Sequence, residues 1–184
     1  SLMNEAVSQF SGIQAVVDQT DNTVYLGSSS IAASDTFTAL FNDTFKVAPL
    51  QMLPEELMIE EKIIPSAYKG IQLPNSESDD FTPGRDFLTW LWFYSEESRG
   101  EIEAGDYGTF AVMPGGPLTF ASEGKGAFES VVRKGNPLNS AEAKTALSIG
   151  KKLKKSVLNI ARADETWSCT FDADAFSFTG MKLP

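Results

Sequence analysis

Lys151, Lys152, Lys154 and Lys155 place four ammonium groups within five positions, with no acid beside them in sequence. Such a cluster repels itself unless an anion sits among it, and the anion that fits a run of point charges is a phosphate backbone. Arg133 and Lys134 belong to the same basic stretch. Strand alternation puts Lys152 and Lys154 with Ser156 on one side and Lys155 with Val157 on the other, a collar of exposed side chains whose loss should leave stability intact. The competing reading is a solvated strand edge guarded by lysines, and residue physics alone favours it modestly.

Other constellations are weaker. Asp172 and Asp174 form a close acid pair that could hold Mg²⁺ for phosphodiester hydrolysis, but aspartates on either side of a short turn are ordinary turn chemistry. Glu96-Glu97 and Asp79-Asp80 read as solvated charges. Gly124 and Gly126 flank Lys125 without the spacing of a phosphate-cradling loop. No residue is assigned a catalytic or metal-binding role, and no cofactor is expected.

The chain has no histidine, which removes Ser-His-Asp and Cys-His catalysis and the usual zinc sites. One cysteine, Cys169, allows no internal disulfide; alternating with Trp167 and Phe171, it reads as a small buried hydrophobe suited to a reducing cytoplasm. No membrane span or secretory signal is legible. Ser1 and Leu2 ahead of Met3 read as a cloning remnant, and the abrupt start suggests part of a longer protein. The formal net charge of -10 is polarised along the chain. From Glu55 to Asp106 thirteen acids face four bases, and from Arg133 to Arg162 eight bases face one acid.

The elements that must position these groups centre on residues 82–100. Thr82-Pro83 is an N-cap with proline at the first helical position, and Arg99-Gly100 suits a helix end, so the apolar run between them is predicted helical. Phe87, Leu88, Trp90, Leu91, Trp92 and Tyr94 cover an arc of about 200°, twice an ordinary stripe, which predicts a core helix covered from several sides. Asp86, Thr89, Phe93 and Glu96 then mark its wet edge. Phe93 there hints at a partner surface.

Before this helix, residues 13–27 read as a hairpin turning at Thr20-Asp21-Asn22, with a helix capped at Ser34 packing on it through Phe37, Leu40, Phe41 and Phe45. Residues 47–53 are a candidate strand, a short acidic helix follows Pro54, and residues 65–81 read as a surface linker. After it, Thr109–Met113 and Leu118–Ala121 read as a hairpin around Pro114-Gly115-Gly116-Pro117, with residues 128–133 as a third strand. A helix capped at Ser140 ends at Gly150. Strands at 153–161 and 166–171 turn at Asp164-Glu165, and Phe176 and Phe178 mark the last strand. The prediction is an α+β fold of antiparallel strands and a few packed helices. It divides as a hairpin-plus-helix segment (1–53), an acidic linker (54–82), and the aromatic helix with its strands (83–184).

Gly84-Arg85-Asp86-Phe87-Leu88-Thr89-Trp90-Leu91-Trp92-Phe93 with Ser95-Glu96, and the ending from Trp167 through Phe176-Ser177-Phe178 to Pro184, resemble the divergent long branch of the bacterial RdgC family. Val24-Tyr25-Leu26, Phe37 through Phe45 and Gly150-Lys151-Lys152-Leu153 follow the same order of segments. The resemblance covers most of this chain and the C-terminal part of a family member. It implies a recombination-associated protein, sometimes labelled an exonuclease, that closes as a ring-shaped homodimer around double-stranded DNA without sequence preference. By the resemblance, Lys151 and Lys152 correspond to a turn beside the DNA channel. The expected function is non-enzymatic DNA binding in a cytoplasmic, nucleoid-associated protein. The alternatives are a Mg²⁺-dependent exonuclease on Asp172 and Asp174, and a protein-interaction module using the aromatic helix.

Overall fold

The computed structural model describes residues 12–62, 68–75, 81–122, 129–133 and 139–184. The chain divides into two compact units, residues 1–51 and 52–184.

In the first unit, β1 (Ala15–Asp18) and β2 (Thr23–Leu26) pair antiparallel, Ala15 opposite Leu26. The turn is set by local side chains: Asp18 accepts from the Thr20 N–H and hydroxyl, which holds its carboxyl below the usual range, Asp21 accepts from the Thr23 N–H, and Asn22 takes a left-handed conformation. Helix α1 (Ile31–Phe45) starts three residues before the expected cap and ends at Lys46, also left-handed. Phe37, Phe41 and Phe45 line one side with tilted rings at 5.5 and 4.6 Å between ring centroids. Helix α1 has no fully buried residue, and Phe37 and Phe41 are half-buried. Residues 47–53 form no strand.

The second unit is a six-stranded antiparallel sheet with helices α3 (Pro83–Ser98) and α4 (Ala141–Ser148) packed on it. The class is α+β, as antiparallel strands with interspersed helices predict. Strands β3 (Glu101–Glu103), β4 (Thr109–Ala121), β6 (Lys152–Arg162), β7 (Glu165–Asp172) and β8 (Ser177–Lys182) lie in that order. Strand β5 (Glu129–Val132) lies on the same edge of β4 as β3, beside its other half. The proline-glycine stretch is not a hairpin loop. Residues 109–121 run as one strand, and Pro114-Gly115-Gly116-Pro117 falls where the β4–β6 register shifts. Proline lacks a ladder donor and glycine tolerates irregular backbone, so both fit a bulge as well as a turn.

Leu88, Leu91 and Trp92 of α3 meet Leu118, Phe120, Leu153, Leu158 and Phe171 of the sheet, with Trp92 and Phe120 at 5.7 Å between ring centroids. Ala143, Ala146 and Leu147 of α4 join the same core. The short helix α2 (Pro54–Glu60) buries Pro54 and Met58, and Leu73 enters the main core. The described residues of 54–82 are therefore built into the second unit and do not form a surface linker. The reason is that Ile71 and Leu73, isolated in sequence between Gly70, Gln72 and Pro74, find apolar partners only once α3 is in place.

Candidate functional site

The lysine segment begins where α4 ends. Gly150 adopts the left-handed backbone that stops the helix, and the Lys151 N–H donates to the Ala146 carbonyl at 3.0 Å. The chain then enters β6 directly under α3. A register shift lies between Thr119, opposite Lys155, and Phe120, opposite Leu153, so Lys154 takes the extra position. Simple alternation fails there, and Leu153 and Ser156 are both fully buried.

The lysines are consequently not an exposed collar. Lys151 is only 8% exposed and donates to the Ser130 hydroxyl at 2.7 Å. Lys152 is 9% exposed, with Nζ 2.7 Å from the buried Asp86 carboxylate and 3.2 Å from the Thr82 hydroxyl. Lys154 pairs with Glu129 at 2.7 Å and stands 3.7 Å from Asp174; the Glu129 hydrogen bond, aided by Asp174 and Asp172, raises its pKa against the opposing effect of burial. Lys155 keeps the most solvent access and lies 3.4 Å from Asp172. The carboxylates come from α3, β5, the end of β7 and the β7–β8 turn. Arg133 is exposed, as is Lys144 on α4, and Lys134 lies outside the described residues.

Asp86 is the hub. Besides Lys152 it accepts from the Tyr68 hydroxyl at 2.5 Å and the Ile71 N–H at 3.1 Å. Burial, then the Asp86 carboxylate, push the Tyr68 phenol far above its ordinary pKa. Gly70 backs onto the same carboxylate, since a Cβ there would sit 2.7 Å from Asp86 Oδ2. Next on the helix, the Thr89 hydroxyl accepts from the Leu153 N–H at 2.8 Å. Asp86 and Thr89, expected on the wet edge of α3, are thus buried polar groups with partners.

The Asp172–Asp174 pair also has structural work. Asp172 accepts from the N–H groups of Asp174 and Ala175, an Asx turn. Asp174 receives both Nε and Nη2 of Arg85 at 2.7 Å, a bidentate pair. Beside it, Gly84 is required by close approach, because a Cβ there would lie 2.2 Å from the Ala173 carbonyl oxygen and 2.8 Å from the Pro54 ring. Among the described residues no group of three His, Cys, Asp or Glu side chains is arranged to hold a metal ion. No described helix is long and apolar enough to cross a membrane.

The side of α3 away from the sheet differs from expectation at Phe87 and Trp90 and matches it at Phe93. Phe87 is 47% exposed, Trp90 42% and Phe93 39%, with Tyr94 half-buried beside them. The helix is covered on one side, and its second aromatic row faces solvent. The 200° arc misled because Asp86 and Thr89, two of the three polar residues taken to mark the wet edge, have buried partners elsewhere in the fold, while Glu96 is exposed as expected.

No protein-family model matches this chain, and no curated protein matches it.

Proposed function

We propose that this chain belongs to a non-enzymatic, sequence-independent DNA-binding protein of DNA recombination, similar to the RdgC family, in which this chain supplies rigid scaffold more than phosphate binding. In that reading the partner is double-stranded DNA, the working form is a homodimer, and the location is the cytoplasm at the nucleoid. The supporting observation is the mutual locking of the three stretches that carry the resemblance. Residues 84–89 meet 150–153 through Asp86–Lys152 and Thr89–Leu153, and meet 172–174 through Gly84–Ala173 and Arg85–Asp174. Residue types that look like separate motifs are one interlocked unit, which gives their co-occurrence a physical reason. The same locking occupies the lysines, so free positive charge for phosphate is sought at Arg133 and Lys144.

The test is fluorescence anisotropy with unrelated duplexes over a salt series. Binding should be indifferent to base sequence, and Arg133→Gln with Lys144→Gln should reduce the log–log salt slope by about 0.9 for each phosphate no longer neutralised. No binding at low salt, or strong preference for one sequence, refutes the reading. Mg²⁺-dependent cleavage abolished by Asp172→Asn would instead establish the exonuclease alternative.

A further inference from the structure

From the outer side of α3 we infer a docking surface for a positively charged, amphipathic segment of a partner protein. This inference is independent of the DNA reading. Phe87, Trp90, Phe93 and Tyr94 recur at helical spacing on one side of the helix. Phe87 and Trp90 lie 5.9 Å apart between ring centroids, and Trp90 stacks on Tyr94 at 4.8 Å. Tyr94 is fixed in turn by its hydroxyl, which donates to the Glu101 carbonyl at 2.6 Å. The platform is therefore ordered before anything binds, which lowers the entropy that association must overcome. These aromatics are not needed to close the core, because Leu88, Leu91 and Trp92 do so from the other side of the same helix. Large aromatic side chains on an ordered surface are the residue types that dominate binding energy at protein interfaces.

Charge selects the occupant. Glu97 lies one turn from Phe93 and Tyr94, and the exposed Glu101 and Glu103 stand on β3, whose first carbonyl holds Tyr94. On α3 itself, Arg85 is held by Asp174; the exposed Arg99 lies past the helix end. An aromatic platform with an acidic rim attracts lysine and arginine twice, through the carboxylates and through the ring faces, with tryptophan the strongest cation–π acceptor. A second copy of a chain of net charge -10 would bring acidic rim against acidic rim. Nucleic acid and anionic lipid headgroups meet the same repulsion. An amphipathic helix with apolar anchors and flanking lysines or arginines satisfies both halves of the surface.

The test uses the full chain and a fluorescein-labelled helical peptide of lysine, leucine and tryptophan. Controls are the same peptide with glutamate for lysine and with serine for leucine and tryptophan. The cationic amphipathic peptide should bind and neither control should. Trp90→Ser or Phe87→Ser should weaken binding at least about tenfold while the melting temperature stays within a few degrees. Glu97→Lys with Glu101→Lys should weaken it and reduce its salt dependence. Equal binding of the glutamate peptide, or undiminished binding by Trp90→Ser, overturns the inference. So does a dimer seen by sedimentation without peptide and dissolved by Trp90→Ser, since the occupant would then be a second copy.

Discussion

Replacing Lys152 with methionine keeps most of the side chain's bulk and removes its charge, leaving the Asp86 carboxylate buried with only Tyr68 and Ile71 as donors. The Lys152 and Asp86 side chains are 11% and 5% exposed, so solvent replaces little of what is removed. Removing one partner of a buried pair costs about 3–5 kcal/mol, and the two remaining donors place this site near the lower end, at about 3 kcal/mol. For a unit of this size that corresponds to a fall in Tm of roughly 10–15 °C. Urea unfolding followed by tryptophan fluorescence reads the loss directly, because Trp92 sits in the same core. The double variant Asp86→Asn with Lys152→Met should recover a large part of the deficit, giving a coupling energy of about 1–3 kcal/mol. An unchanged urea midpoint for Lys152→Met would refute the structural role of the Asp86–Lys152 pair.

Gly84→Ala should destabilise by about 1–3 kcal/mol, measured by urea titration, because the new methyl meets backbone at Ala173 and the Pro54 ring; a neutral result would mean that α2 and the β7–β8 turn give way freely. Stability should fall as pH rises above about 9. The folded-state pKa values of Cys169, Tyr68 and Lys154 are all raised, so each group's contribution is complete below its unfolded value (9.0, 10.0 and 10.5) and is lost as pH climbs through the folded one. Melting curves at pH 8 and 10.5 check this, and a Tm that rises between them contradicts the assignment.

What the sequence by itself determined is mostly local. Thr82-Pro83 and Arg99-Gly100 bound α3, Ser140 caps α4 by accepting the Ala143 N–H, and Gly150 ends it, because these signals act within one helical turn. The β6–β7 hairpin and the last strand were legible for the same reason: strand alternation and a short turn need no distant partner. Only the tertiary structure decided which side of α3 is wet. Asp86 and Thr89 look like solvent positions until Lys152 and the Leu153 N–H arrive from about 65 residues away. It also decided that Pro114-Gly115-Gly116-Pro117 continues a strand, since the β6 partner that carries the ladder past the irregularity lies elsewhere in the chain. The lysines show the limit most clearly. Their like charges are visible in sequence, but the carboxylates of Asp86, Glu129 and Asp174 that neutralise Lys152 and Lys154 converge only when α3, β5 and the β7–β8 turn pack around β6; Asp172 meets Lys155 across the β6–β7 hairpin itself. Electrostatic energy depends on distance in space, and that distance is set by the fold.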